Sequence, residues 1–168
     1  MDVASLLVEL YGRIPPLAEE AVAGLPAETL AEPPGPARNT IAWLVWHLAR
    51  VEDSHVAELL DGRQLWEAGD WAGRMGLAPD PDDTGYGHSP EQVAGIRPPD
   101  GDVLLDDLAA VHERTVELLG GLTADDLDRV VDRRWEPPVT LGVRLVSIAD
   151  DCLQHVGQAA YVRGLLEA

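Results

Sequence analysis

The sequence predicts an all-α protein: a four-helix bundle with a long crossover loop and short extra helices, in one domain spanning residues 1–168. Three observations predict it. Four long segments carry apolar residues at the three- and four-residue spacing of one helix face. No segment alternates apolar and polar residues for long enough to build a sheet. A chain of 168 residues with 46% apolar side chains is also long enough to bury one core.

The first helix is expected from Asp2 to about Ala23, with Leu6, Leu7, Leu10, Ile14, Leu17 and Val22 as its stripe. Pro15-Pro16 removes backbone donors in its middle, so a kink or a split is expected there. Leu25–Arg38, with Pro26, Pro33, Pro34, Gly35 and Pro36, reads as a loop. Asn39 or Thr40 then caps a helix that runs to about Leu60 and stops at Asp61-Gly62. Its first half, from Ile41 to Ala49, is apolar nearly all round and belongs at the centre of the bundle. In its second half Arg50, Glu52, Asp53 and Glu58 are expected outward or near the rim.

Residues 63–99 are rich in Gly, Pro and Asp and read as a long ordered loop with one short helix. That helix begins at Ser89-Pro90-Glu91-Gln92, a capping box with proline at the first helical position. Connections of this length in compact domains tend to carry function. The third long helix is expected from near Asp100 to Leu119, with Val103, Leu104, Leu108, Val111, Thr115, Leu118 and Leu119 inward, and Gly120-Gly121 ends it. Thr123 caps a short helix over 124–131, and a turn follows through Trp135-Glu136-Pro137-Pro138. Val130-Val131 and Pro138–Leu141 are the only stretches with extended character. Thr140 caps the last helix, whose core face is Leu141, Leu145, Ile148, Cys152, Ala159, Val162 and Leu166.

Polar groups interrupt these apolar faces at three positions. His155 lies inside the stripe of the last helix and Asp151 at its edge, four residues earlier and about 40° away on the helical wheel. His47 sits within the apolar run of the second long helix. A carboxylate directed at a core is costly unless it is paired or bound to a metal. Two imidazoles and one carboxylate on two helices of a bundle can hold a divalent cation and leave positions open for water or substrate. Zinc suits this set, and nickel or iron could also fit. A structural zinc site is normally closed by four protein ligands, often cysteines, so a chain with one cysteine points to an open site. Each residue alone also has an ordinary reading, as a hydrogen-bonded core histidine or a chance i,i+4 pair.

Other residues carry weaker signals. His55 reads as a core residue, or as one supporting the site through Asp53 or Glu52. His88, in the loop Thr84-Gly85-Tyr86-Gly87-His88, could face substrate with Tyr86 or simply pack on the surface. His112 reads as exposed and Cys152 as a buried apolar residue, with nucleophilic chemistry its weak rival. Trp66 and Trp71 could wall a pocket.

The formal net charge is −18, with 30 acidic residues against 12 arginines and no lysine. Such a surface repels nucleic acid and anionic lipid. No stretch is long and apolar enough to span a membrane. The start of the chain lacks a basic leader, and Cys152 has no partner for a disulfide, which favours a reducing cytoplasm. There is no phosphate loop and no dinucleotide fingerprint.

Three segments together resemble a known family. Trp43-Leu44-Val45-Trp46-His47-Leu48-Ala49-Arg50 resembles the second-helix motif of the DinB-like (YfiT-like) metal-binding superfamily. Asp151-Cys152-Leu153-Gln154-His155-Val156-Gly157-Gln158 resembles its C-terminal motif, a ligand, three residues, then His-x-Gly-Gln or His-x-Gly-His. The loop from Asp82 to Gln92 resembles a stretch of an actinobacterial branch. The resemblance covers essentially the whole chain and implies a four-helix bundle with His47, Asp151 and His155 as metal ligands. The commonest triad of the family is three histidines. A carboxylate at the position of Asp151 is similar to the mycothiol-dependent maleylpyruvate isomerases, which use His, Glu and His. The resemblance thus implies a metal-dependent thiol S-transferase or isomerase acting on a small molecule, with a thiol such as mycothiol, in a chain that can form a homodimer. The alternative is a non-catalytic stress-response module that binds metal or a small ligand.

Overall fold

Gly12 and Arg13 divide the first expected helix into α1 (Val3–Tyr11) and α2 (Ile14–Val22). Pro15 and Pro16 fall in the first turn of α2, where backbone N–H groups have no intrahelical partner, so the chain splits there instead of kinking. The break rotates the stripe: Tyr11, Ile14 and Ala18 are buried, while Leu6 and Leu17, expected inward, face solvent. The computed structural model describes residues 1–167, and Ala168, the last residue of the expected 1–168 domain, lies outside them. The segment expected to be loop contains a short helix, α3 (Ala27–Leu30), which buries Leu30.

Thr40 caps α4 (Ile41–Leu59), its side chain accepting from Trp43 N at 3.1 Å. Every residue from Ile41 to Arg50 is buried, as the all-round apolar run requires. The second half of the helix departs from expectation. Arg50, Glu52 and Asp53 are not at the rim but 1%, 0% and 2% exposed. Glu52 is enclosed by the bundle itself, where it meets Cys152 of the last helix; Arg50 and Asp53 are covered by the connection after α4, which folds back over their face. It forms α5 (Leu65–Ala68), α6 (Trp71–Arg74) and α7 (Pro90–Gly95), three short helices where one was expected. Asp53 accepts from Leu65 N and Trp66 N, both at 2.9 Å, and so holds the start of α5. Arg50 donates to Asp53, Gln64 and the Pro81 carbonyl and lies over the Trp66 ring at 4.8 Å. The loop thus replaces water as the partner of these charges. The Ser89/Gln92 capping box opens α7 as expected.

α8 (Asp102–Gly120) follows, then a 3-10 turn over Ala124–Asp128 held by Thr123 and Asp126. The two extended stretches pair as β1 (Val130–Asp132) and β2 (Val139–Thr140), antiparallel, with Val130 opposite Thr140 and Asp132 opposite Val139. Thr140 then caps α9 (Leu141–Leu166). The bundle is all-α, built from α1–α2, α4, α8 and α9, with the two-residue to three-residue strands as a small appendage. α4 lies between α8 and α9, and α2 packs on α9. α4 and α9 run antiparallel: Cys152 reaches the Leu48 carbonyl at 3.6 Å, while Arg144, earlier in α9, meets His55, later in α4, at 2.6 Å. No helix among the described residues is long and apolar enough to cross a membrane.

Candidate metal centre

The antiparallel pairing of α4 and α9 brings His47 opposite Asp151 and His155. One ligand atom from each of the three residues lies within 4.8 Å of the other two. His47 Nε2 is 3.9 Å from Asp151 Oδ2, and the two imidazole rings meet edge to face with centroids 4.6 Å apart. His47 is buried, whereas Asp151 and His155 are half-buried, so the cluster is reached from the α9 side.

The hydrogen bonds orient both imidazoles. His47 Nδ1 contacts the Thr84 carbonyl and His155 Nδ1 the Asp151 carbonyl, the latter at 2.8 Å. A carbonyl only accepts, so each Nδ1 donates and each Nε2 keeps its lone pair. This is how metal-binding histidines are commonly held. Asp151 Oδ2 is buried without a well-aligned hydrogen bond; its nearest polar neighbours are His155 Nδ1 at 3.4 Å and His47 Nε2 at 3.9 Å. A buried carboxylate oxygen left in that way is costly unless a cation completes it. The donor set therefore fits a divalent cation.

Burial pushes the His47 pKa below its ordinary value, so the ring is neutral and able to ligate at neutral pH. Burial pushes the Asp151 carboxyl up, but the His155 side chain, and then His47 and His55 once they are protonated in the acid range where a carboxyl titrates, outweigh it and the net shift is downward. The Asp151 side chain in turn raises the pKa of His155.

A loop braces the α4 side of the cluster. The Trp43 ring stacks on His47, with centroids 4.6 Å apart and planes 11° from parallel. Trp43 Nε1 donates to His88 Nδ1 at 3.1 Å, which leaves the His88 proton on Nε2, directed at Asp83 Oδ1 at 2.8 Å. Asp83 also accepts from Gly85 N. Gly85 has φ +89°, and a Cβ there would lie 2.9 Å from Trp46 and 3.0 Å from His47 Nδ1. His88 therefore packs within the brace, while Tyr86 is fully in solvent at 94% exposure.

The remaining candidates lie elsewhere. The partners of His55 are Arg144 and Glu58, not Asp53 or Glu52. His112 is half-buried instead of exposed. Trp66 packs edge-on against Trp46 and under Arg50, and Trp71 lies under Arg74, so neither walls the cluster. Cys152 is buried, and burial pushes its thiol well above the ordinary range. The supporting groups that sequence reasoning missed are the Thr84 carbonyl and the Asp83 carboxylate. Their one signal is the pair of glycines, Gly85 and Gly87, which permit positive φ in a loop that has to approach α4 closely.

The family model of the DinB superfamily matches residues 11–159. A solved crystal structure, described as the conserved protein of locus from Enterococcus faecalis, is similar at 34% identity. Its TM-score is 0.91, and the match covers 99% of this chain and 98% of that one. No curated protein matches. With its helical bundle and its His/Asp/His cluster between α4 and α9, this chain belongs to the DinB superfamily.

Proposed function

We propose that His47, Asp151 and His155 hold one divalent cation, with zinc best suited to the donor set and nickel or iron also compatible. We further propose that the protein is a metal-dependent enzyme acting on a small molecule. It would use a low-molecular-weight thiol such as mycothiol, in S-transfer or isomerisation of the maleylpyruvate isomerase kind. One observation carries the metal reading: Asp151 Oδ2 is buried without a well-aligned hydrogen bond beside two imidazoles whose Nδ1 protons are already committed. When bound, the cation supplies Lewis acidity, which acidifies a thiol or water and polarises a carbonyl.

The chain's own residues set the conditions for that chemistry. The Thr84 and Asp151 carbonyls fix the tautomers of the two histidines. Asp151 contributes the one negative charge of the donor set, leaving a dication net positive towards an incoming thiol. The Trp43 ring covers His47 and keeps solvent off its buried face. Three protein donors leave coordination positions open on the half-buried α9 side.

The test is elemental analysis of protein purified without a metal-affinity column, on the wild type and on His155→Ala. Roughly one ion per chain, lost in the variant, is expected. Metal-free wild type with an intact fold would sink the reading. Thiol conjugation is then assayed with mycothiol, bacillithiol and glutathione against a panel of electrophiles. Metal without turnover would favour the non-catalytic binding module.

A further inference from the structure

A second feature lies one helical turn from the cluster. A cleft of about 500 Å³ opens between the β1–β2 hairpin and the facing sides of α4 and α9. That volume is in the range of small-molecule sites. Ser147 and His55 bound it, and they continue the two rows that carry the cluster. Ser147, Asp151 and His155 are spaced by four on α9, and His47, Val51 and His55 by four on α4. Ser147 thus lies about 6 Å along the helix axis from Asp151.

The two walls of the cleft differ in chemistry. One is apolar: Trp135, Val139 and Val143. Trp135 is 66% exposed, an unusual state for so large an apolar side chain, and its ring is free to stack. The other wall carries two arginines, Arg134 and Arg144, whose carboxylate partners are Asp132 and Glu58. Four of the twelve arginines fall between residues 129 and 144, against two acids, and Arg134 and Arg144 line the cleft with Asp132 as the only lining carboxylate. Asp132 is already taken. It accepts from Arg134 Nε and Nη2 and from Arg144 Nη2, at 2.8 to 2.9 Å. Arg144 Nη1 is turned to His55 and Glu58. Arg134 Nη2 also faces Glu58 Oε1 at 3.5 Å, which leaves Arg134 Nη1, on a largely exposed side chain, without a protein partner among the described residues.

We propose that this cleft binds a small organic carboxylate with a flat apolar body, which stacks on Trp135 while its carboxylate pairs with Arg134. The cleft is the subsite that presents such a molecule to the neighbouring His47/Asp151/His155 cluster. This last point rests on the metal reading above; the carboxylate site itself does not. Burial and the adjacent Arg144 guanidinium lower the pKa of His55, so His55 adds no charge at neutral pH and the arginines supply the attraction.

The test uses 4-phenylbutyrate and its uncharged amide as probes on the full chain, following the indole N–H resonance of Trp135. The expected result is a saturable shift with the carboxylate and binding at least tenfold weaker with the amide. Arg134→Gln should remove the difference between the two probes. Trp135→Leu should weaken both at least fivefold. Both side chains are exposed, so these variants fold. Equal affinity for the two probes, or an unmoved Trp135 resonance, would overturn the proposal. Metal content measured on the same samples separates the two readings. Metal-free protein that binds the carboxylate through Arg134 keeps the cleft and removes the metal centre. Metal-loaded protein that ignores both probes does the reverse.

Discussion

His47 donates through Nδ1 to the backbone carbonyl of Thr84, a residue 37 positions away in the loop that follows α5 and α6. This bond joins the most buried member of the cluster to the least regular part of the chain. The ring of His47 is then clamped between that carbonyl and the parallel face of Trp43. Orientation of the His47 ring is therefore a property of the loop as much as of the helix.

Gly85→Ala is expected to disturb this clamp. The added Cβ meets Trp46 and His47 Nδ1 at 2.9 and 3.0 Å, in a backbone conformation that alanine disfavours. Metal affinity should fall about 10- to 100-fold, the usual cost of disrupting a ligand's hydrogen-bond partner. Competition titration with a chromophoric chelator measures it, and unchanged far-ultraviolet dichroism shows that the bundle is retained.

The proposed metal centre requires a carboxylate at position 151. Asp151→Asn keeps the shape but removes the charge, so bound metal should drop sharply. Asp151→Glu should retain it, because a carboxylate remains beside the two imidazoles. Elemental analysis of the two variants side by side distinguishes a ligand from a spacer: equal metal in both would mean that Asp151 does not ligate.

Glu52 gives a pH prediction for stability. It is fully buried in the core beside Cys152, and burial pushes its carboxyl up to about 7. The folded state therefore holds a proton that the unfolded chain releases near its ordinary value of 4.5. Stability is fully present below that value and is lost as pH rises through about 7. The loss is on the order of 3 kcal/mol. Asp107, also raised by burial to about 7, acts in the same direction. Urea midpoints between pH 5 and 8 should fall with pH in the wild type, and Glu52→Gln should flatten that slope.

Asp53 is expected to be the costliest single polar residue to remove. It satisfies Leu65 N, Trp66 N and the buried Arg50 guanidinium at once. Asp53→Ala should destabilise by roughly 3 kcal/mol, since it leaves a buried charge without its partner. Denaturant unfolding reads this directly. A loss under about 0.5 kcal/mol, the scale of an ordinary surface change, would contradict it.

The Cys152 thiol should be inert. With its pKa raised by burial and its Sγ enclosed by Leu48 and Glu52, it should not react with a disulfide reagent until the protein unfolds. Fast labelling of the native protein would reopen the case for cysteine chemistry.

The bundle was legible because its rules are local. Capping at Thr40, Ser89, Thr123 and Thr140, and the apolar run Ile41–Ala49, each act within a turn or two of chain. The i,i+4 spacing of Asp151 and His155 is equally local, since one helix dictates it. His47 could be singled out as a buried polar group able to complete a ligand set with the other two across two helices, and the family resemblance implied the same triad. What could not be read was where the long connection would lie. Arg50 and Asp53 look like a solvent face in sequence, yet the folded loop covers them and supplies their partners, while Glu52 is enclosed by the bundle beside Cys152.

By itself, then, the sequence determined the four helices, their caps and the ligand spacing on α9, because backbone hydrogen bonding and apolar periodicity act over a few residues. Only the tertiary structure decided that α4 runs antiparallel to α9 and brings His47 to Asp151, and that Thr84 orients His47. It also decided that Asp132 binds Arg144 beside a cleft one turn away. Those contacts join residues from 12 to more than 100 positions apart, and their partners are chosen by packing and by the need to satisfy buried charge, which no local pattern encodes.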